Sequence, residues 1–274
     1  MQNDLKSLEN HFAFGENWAS YAKLIDQKRL GEARAALARL LGEDGLRYRT
    51  MIDIGCGSGL HAAAAQTLGA RSVLGIDIDP NSVAAAQQVF TALKTQDQCS
   101  ARQCSIFEAD NAGLGQFDVV YSWGVLHHTG AMYEALTRAA ALTAPGGIFA
   151  FALYRKTRLC SLWTLEKRWY SKASPSVQRL AQQIYIAATR LAFLLLGRDF
   201  KAHVQSYKEK RGMDFEHDVH DWLGGYPYES IAPGEVAALM GRLGFEHVRS
   251  FTRPGGWAPL GSGCDEYVYR RLGD

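Results

Sequence analysis

The chain has 274 residues, 47% hydrophobic and 21% charged, with a formal net charge of +2. These values suit one large globular domain with an insertion, or two small domains, with a substantial core. The near-neutral balance gives no electrostatic case for nucleic acid, so none is expected as a partner.

Residues 16–41 show helical spacing, with Trp18, Tyr21, Ala22, Leu24 and Ile25 on one stripe and a second helix over 30–41. Residues 42–49 are turn-rich and lead into the main sheet. The pattern then alternates: strand 50–54, helix 60–68, strand 72–77, helix 80–93 and a strand at about 102–107. Strand 117–122, helix 131–143 and strand 147–153 follow, the last fed by the sharp turn Ala144-Pro-Gly-Gly147. Regular alternation stops at Tyr154. Residues 155–210 are basic, aromatic and helical in character, and 211–230 read as a polar-aromatic loop. Helix 233–243 and strands 245–252 and 264–271 complete the sheet, the last two as an antiparallel pair around Gly255-Gly256 and Gly261-Ser-Gly263.

Met51-Ile-Asp-Ile-Gly-Cys-Gly-Ser-Gly-Leu60 is a buried strand breaking into a glycine-dense turn with a helix directly after it. The glycines let a ligand approach the backbone without meeting a Cβ atom. Asp77 ends the next strand, placed to accept hydrogen bonds from a ribose diol. Gly57, Gly59 and Ala62 also fit a dinucleotide fingerprint, but Asp53 would then face a pyrophosphate of like charge. S-adenosylmethionine carries no phosphate, and Asp53 can balance its ammonium, so that methyl donor is the expected cofactor over a nicotinamide or flavin.

These residues resemble a Rossmann-type, class I S-adenosylmethionine-dependent methyltransferase. The specific motifs span residues 48–154: Asp53-Ile-Gly-Cys-Gly-Ser-Gly59, Asp77, Phe117-Asp-Val-Val-Tyr121, Leu126-His-His128 and Pro145-Gly-Gly147. Residues 231–274 match by pattern alone. Among subfamilies the chain looks most like small-molecule methyltransferases such as the ubiquinone-biosynthesis O-methyltransferases, which carry a substrate-shaping insertion after strand five. The resemblance implies an α/β fold with a doubly wound, mostly parallel seven-stranded sheet and helices on both faces. It implies an N-terminal helical cap (1–47), a cofactor-binding core (48–154), a helical insertion and substrate lid (155–230) and a C-terminal completion of the sheet (231–274). Cofactor contacts carried over are Asp53, Gly55, Cys56, Gly57, Asp77, Ile78, Ser122 and Trp123, with Tyr21 from the cap. Many members place an acidic residue at the end of strand three; here Cys104-Ser105-Ile106 stands there, with Ser105 and Ile106 expected at the adenine.

An oxygen nucleophile must lose its proton as it takes a methyl group, so a base is expected near the transferred methyl. His127 and His128, on the loop after strand four, are the first candidates, with His127 preferred. His217 and His220 in the segment 211–230 are the rivals. Asp214, His217, Asp218, His220 and Asp221 are dense enough to raise a divalent metal, yet they match no established ligand spacing. A hydrogen-bonded lid over a small-molecule acceptor is therefore expected and no metal, with Trp222, Tyr226 and Tyr228 offering ring faces. The apolar tract 184–196, broken by Arg190, falls short of the roughly 20 residues of a spanning helix. Its flanking Arg and Lys residues leave peripheral membrane contact through the insertion open. Five scattered cysteines and no signal peptide lead to an expected cytoplasmic location. The oligomeric state is not readable from the chain.

Overall fold

The computed structural model of the chain describes residues 14–22, 24–211, 215–252 and 263–273. Two helices, α1 (Phe14–Ala22) and α2 (Gln27–Leu41), precede the first strand. Asp26 caps α2 by accepting a hydrogen bond from the Arg29 N–H. Leu30, Ala33, Leu37 and Leu40 form the buried face of α2, at the spacing of a single helical stripe. Strands and helices then alternate through β1 (Thr50–Ile54), α3 (Leu60–Thr67), β2 (Ser72–Asp77), α4 (Pro80–Leu93) and β3 (Cys99–Gln103). They continue with β4 (Phe117–Trp123), α5 (Met132–Ala141) and β5 (Thr143–Tyr154). The insertion contributes α6 (Cys160–Lys172), α7 (Pro175–Leu195), α8 (Phe200–Arg211) and α9 (Phe215–Gly224). After it come α10 (Pro233–Arg242), β6 (Phe245–Phe251) and β7 (Cys264–Arg271).

All seven strands form one sheet in the order β3-β2-β1-β4-β5-β7-β6. The run from β3 to β5 is parallel, and β7 is antiparallel to both its neighbours. Alternate residues serve opposite faces. Ile52, Val120, Phe149 and Phe151 pack with α5 and α10, whereas Met51, Val119, Ile148 and Ala150 pack with α2, α3 and α4. Covering both faces is why these strands read as nearly continuous apolar runs. Strand order reverses between β1 and β4, and ligands of such sheets bind beyond the carboxyl ends at that reversal. The architecture is the expected one: α/β, mostly parallel, seven-stranded, with helices on both sides.

Local expectations change, and β5 begins at Thr143 rather than at 147, with a register shift opposite β4 where the turn 144–147 was expected. The third strand lies at 99–103, not 102–107, because Val73 through Asp77 pair with Cys99 through Gln103. Residues 106–108 instead form a 3-10 turn, in which the Ser105 hydroxyl accepts from the Phe107 N–H. The segment read as a loop over 211–230 contains α9. Phe215, Val219 and Leu223 recur every fourth residue on α9 and bury against Tyr170 in a cluster belonging to the insertion. Gly255, Gly256 and Gly261 lie outside the described residues. No helix among the described residues is long and apolar enough to cross a membrane.

Candidate active site at the carboxyl edge of the sheet

The turn after β1 is pinned to β2 by the Gly55 and Cys56 N–H groups, which both donate to the Ile76 carbonyl at 2.7 and 3.1 Å. Gly55 has φ +72°, and a Cβ there would lie 2.4 Å from a methyl carbon of Val125. At Gly57, with φ +51°, a Cβ would lie 2.9 Å from the Trp18 indole, because α1 crosses directly over the turn. Any other residue at either position would need both a strained backbone and a displaced neighbour.

Asp77 is oriented by the backbone. One carboxylate oxygen accepts from the Gly57 N–H at 3.0 Å and the other from the Asp79 N–H at 2.9 Å. Each oxygen has a further lone pair, so the group can take the two hydroxyls of a ribose. Burial raises the Asp77 carboxyl to about 6. Asp53, 3% exposed, is raised to about 7, first by burial and then by the nearby Asp77. A cation brought beside Asp53 would reverse that shift. A ligand with a diol for Asp77 and an ammonium for Asp53 fits this cradle, and S-adenosylmethionine carries both.

From the turn a cavity of about 1300 Å³ runs along the sheet edge and under the insertion. Asp53, Gly55, Cys56, Asp77 and Ile78 line it, with Tyr21 from α1. Ser105, Ile106, Trp123 and His128 line it as well. Gly57 acts through its backbone, as above. Ser122 lies beneath the cavity, wholly buried, and its hydroxyl donates to the Ile54 carbonyl at 3.0 Å, tying β4 to β1.

The histidines separate clearly. His127 is wholly buried, its ring 3.9 Å from that of Tyr154, and it does not line the cavity. Burial above all, then His128 and Lys167 nearby, hold its imidazole well below the ordinary value, so it is neutral. His128 faces the cavity, and its Nδ1 lies 2.7 Å from the Pro227 carbonyl. A carbonyl can only accept, so Nδ1 carries a proton, and in the neutral ring Nε2 carries the lone pair. His220 is held inside the insertion, its Nδ1 2.7 Å from the Tyr170 hydroxyl and 2.6 Å from the Gln182 amide nitrogen. The His217 side chain lies outside the described residues.

Sequence reading missed Tyr154, Tyr185 and Glu266, which also line the cavity. Tyr154 ends β5 at the ligand edge, a position that could have flagged it. Tyr185 lies in α7 and reaches the cavity through the folding of the insertion, for which no local signal exists. Glu266 of β7 accepts from the Trp123 indole N–H at 2.9 Å and pairs with Arg39 at 2.6 Å.

Comparison with known proteins identifies residues 52–149 as a methyltransferase domain. A ribosomal protein L11 methyltransferase from Tolumonas auensis is 29% identical over 134 residues, 49% of this chain and 43% of the relative. A ubiquinone biosynthesis O-methyltransferase from Rhodopseudomonas palustris is 35% identical over 123 residues, 45% of this chain and 42% of the relative. A tRNA U34 carboxymethyltransferase from Saccharophagus degradans is 31% identical over 102 residues, 37% of this chain and 31% of the relative. Each of these matches spans less than half of the relative's own length. Among solved structures, magnesium protoporphyrin IX methyltransferase from Synechocystis PCC 6803 with bound SAH shares the fold. It superposes with a TM-score of 0.53 at 15% identity, covering 89% of this chain and 84% of that one.

The relatives correct one expectation. Net charge set nucleic acid aside and the subfamily resemblance implied a small-molecule partner, yet proteins named for ribosomal protein L11 and for tRNA are also similar to part of this chain. Each match covers less than half of this chain, so neither it nor the charge of the whole chain specifies an acceptor class. Residues 52–149 are a methyltransferase domain, and the strand order around their carboxylate-glycine cradle is the fold of the S-adenosylmethionine-dependent methyltransferases.

Proposed function

We propose that the protein moves a methyl group from S-adenosylmethionine to a hydroxyl of a small, ring-bearing acceptor, with His128 as general base. The observation that carries this reading is the 2.7 Å contact between His128 Nδ1 and the Pro227 carbonyl. It commits the Nε2 lone pair of a cavity-lining imidazole to accepting a proton. When bound, the cofactor supplies a methyl group on a sulfonium. Asp77 would hold the ribose and Asp53 the ammonium, so neither carboxylate would serve as the base. Nε2 would take the proton of the acceptor hydroxyl, and Tyr154, Tyr185 and Trp222 supply an aromatic wall that excludes water. The ubiquinone O-methyltransferase among the relatives supports a hydroxyl acceptor.

In this reading, among the described residues, those within 1–47 cap the site, 48–154 hold the cofactor, those within 155–230 close over the acceptor and those within 231–274 complete the sheet. All five cysteines are free thiols, which suits a reducing cytoplasm. The test is S-adenosylhomocysteine formation against a pool of hydroxylated aromatic compounds. His128→Ala should lower turnover about 100-fold and leave cofactor affinity unchanged by calorimetry. Undiminished turnover in His128→Ala would remove His128 as the base.

A further inference from the structure

Behind the acceptor wall lies a buried cation that the proposed chemistry does not use. Lys167 of α6 is 0% exposed. Its ammonium lies 3.8 Å from the ring centroid of Trp222 and donates to the backbone carbonyl of that same residue. The Tyr228 ring is 5.5 Å away, and Glu166 supplies a carboxylate at 3.8 Å. Burying an ammonium forfeits more hydration than one such ion pair restores, and an apolar side chain of similar length would pack here at lower cost. What the charge adds is direction. A cation over the indole face, hydrogen-bonded to the carbonyl of the same residue, fixes both the side chain and the backbone of Trp222.

Two parts of the acceptor chamber depend on what is fixed. Trp222 lines the cavity and meets Tyr154 edge-on, at 5.6 Å and 87°. Tyr228 lies against Tyr154 at 5.2 Å, and its neighbour Pro227 provides the carbonyl bound to His128. We propose that Lys167 is a positioning residue: from α6 it fixes residues 222–228, keeping Trp222 in the chamber wall and His128 in its Nδ1-protonated form. The importance of that tautomer rests on the function proposed above.

The test uses the whole chain saturated with S-adenosylhomocysteine, comparing Lys167→Met, Lys167→Gln and Lys167→Arg with the wild type. Trp222 fluorescence is isolated by difference from the Trp222→Phe counterpart of each protein, and the His128 tautomer is read from its ring nitrogen shifts. Lys167→Met should keep the melting temperature and the S-adenosylhomocysteine affinity. Its Trp222 should become several-fold more accessible to acrylamide, and its His128 should average between tautomers. Lys167→Arg should retain both wild-type signals. The proposal is overturned if Lys167→Met leaves both signals at their wild-type values, or if Lys167→Arg loses them as completely as Met does. Should Lys167→Met fail to fold, Lys167→Gln is judged by the same criteria, since it keeps a donor for the carbonyl but no charge. Wild-type affinity for S-adenosylhomocysteine is measured alongside. Failure to bind would remove the methyltransferase reading, whereas the variant signals speak to the clamp alone.

Discussion

The sheet and the insertion deal with apolar surface in opposite ways. In the sheet, Ile52, Val120, Phe149 and Phe151 are sealed on one face and Met51, Val119 and Ala150 on the other. In the insertion, α7 is the longest helix among the described residues, at 21, yet none of its residues is buried. Tyr185 and Thr189 line the cavity, while Ile184, Leu191, Leu194, Leu195 and Leu196 are each more than half exposed. Apolar periodicity therefore reports which face of a helix seeks cover, and not whether its own chain provides that cover.

The largest effect separating the two regions is expected at Phe149, wholly buried in the sheet. Phe149→Ala should cost about 3–5 kcal/mol of unfolding free energy in urea titrations. A cost under about 1 kcal/mol would mean that the sheet is packed no better than the insertion.

An intermediate effect is expected where the sheet meets the ligand. Asp53 has its carboxyl raised from 3.8 to about 7 in the ligand-free fold. Between those values the folded protein keeps a proton that the unfolded chain releases, so stability falls as pH rises through the window and stays low above it. Asp53→Asn should therefore stabilise the ligand-free protein at pH 8 by about 4 kcal/mol and leave it nearly unchanged near pH 4. The same substitution should weaken cofactor binding about tenfold, because an amide cannot balance an ammonium. A uniform stability change at both pH values would show that the carboxyl is not strained by burial.

The smallest effect belongs to α7. Leu194, 74% exposed, can be replaced by Ala within about 0.5 kcal/mol by the same urea titration. A loss as large as that of Phe149→Ala would mean that α7 is covered after all, and the contrast between the regions would collapse.

What the amino-acid pattern disclosed follows the same division. The turn at Gly55 was legible because its positive φ and close neighbours leave few residue types able to stand there. The edge strand β3 was misplaced because Cys99-Ser-Ala-Arg-Gln103 has little apolar alternation, so periodicity slid to the apolar residues at 104–107. In α9 the acidic and histidine residues drew the eye from the fourfold recurrence of Phe215, Val219 and Leu223, which makes it a helix. The two strand-four histidines are neighbours in the chain, yet one is buried and the other faces the cavity. The partner that orients His128 is Pro227, 99 residues away, and no local rule connects them. Lys167 was legible as a basic residue among aromatics, but its burial arises from packing between α6 and α9.

The position of β7 bears on how the protein is assembled during synthesis. The seventh strand made is the sixth in the sheet, inserted between β5 and β6. While the ribosome is still adding residues before Cys264, β5 presents an open edge and β6 has no strand to join, so the sheet cannot close. Phe151 packs against Tyr267 and Tyr269, which arrive with that last strand. Until β7 arrives the core is unfinished, an interval in which an unpaired edge invites association with other chains.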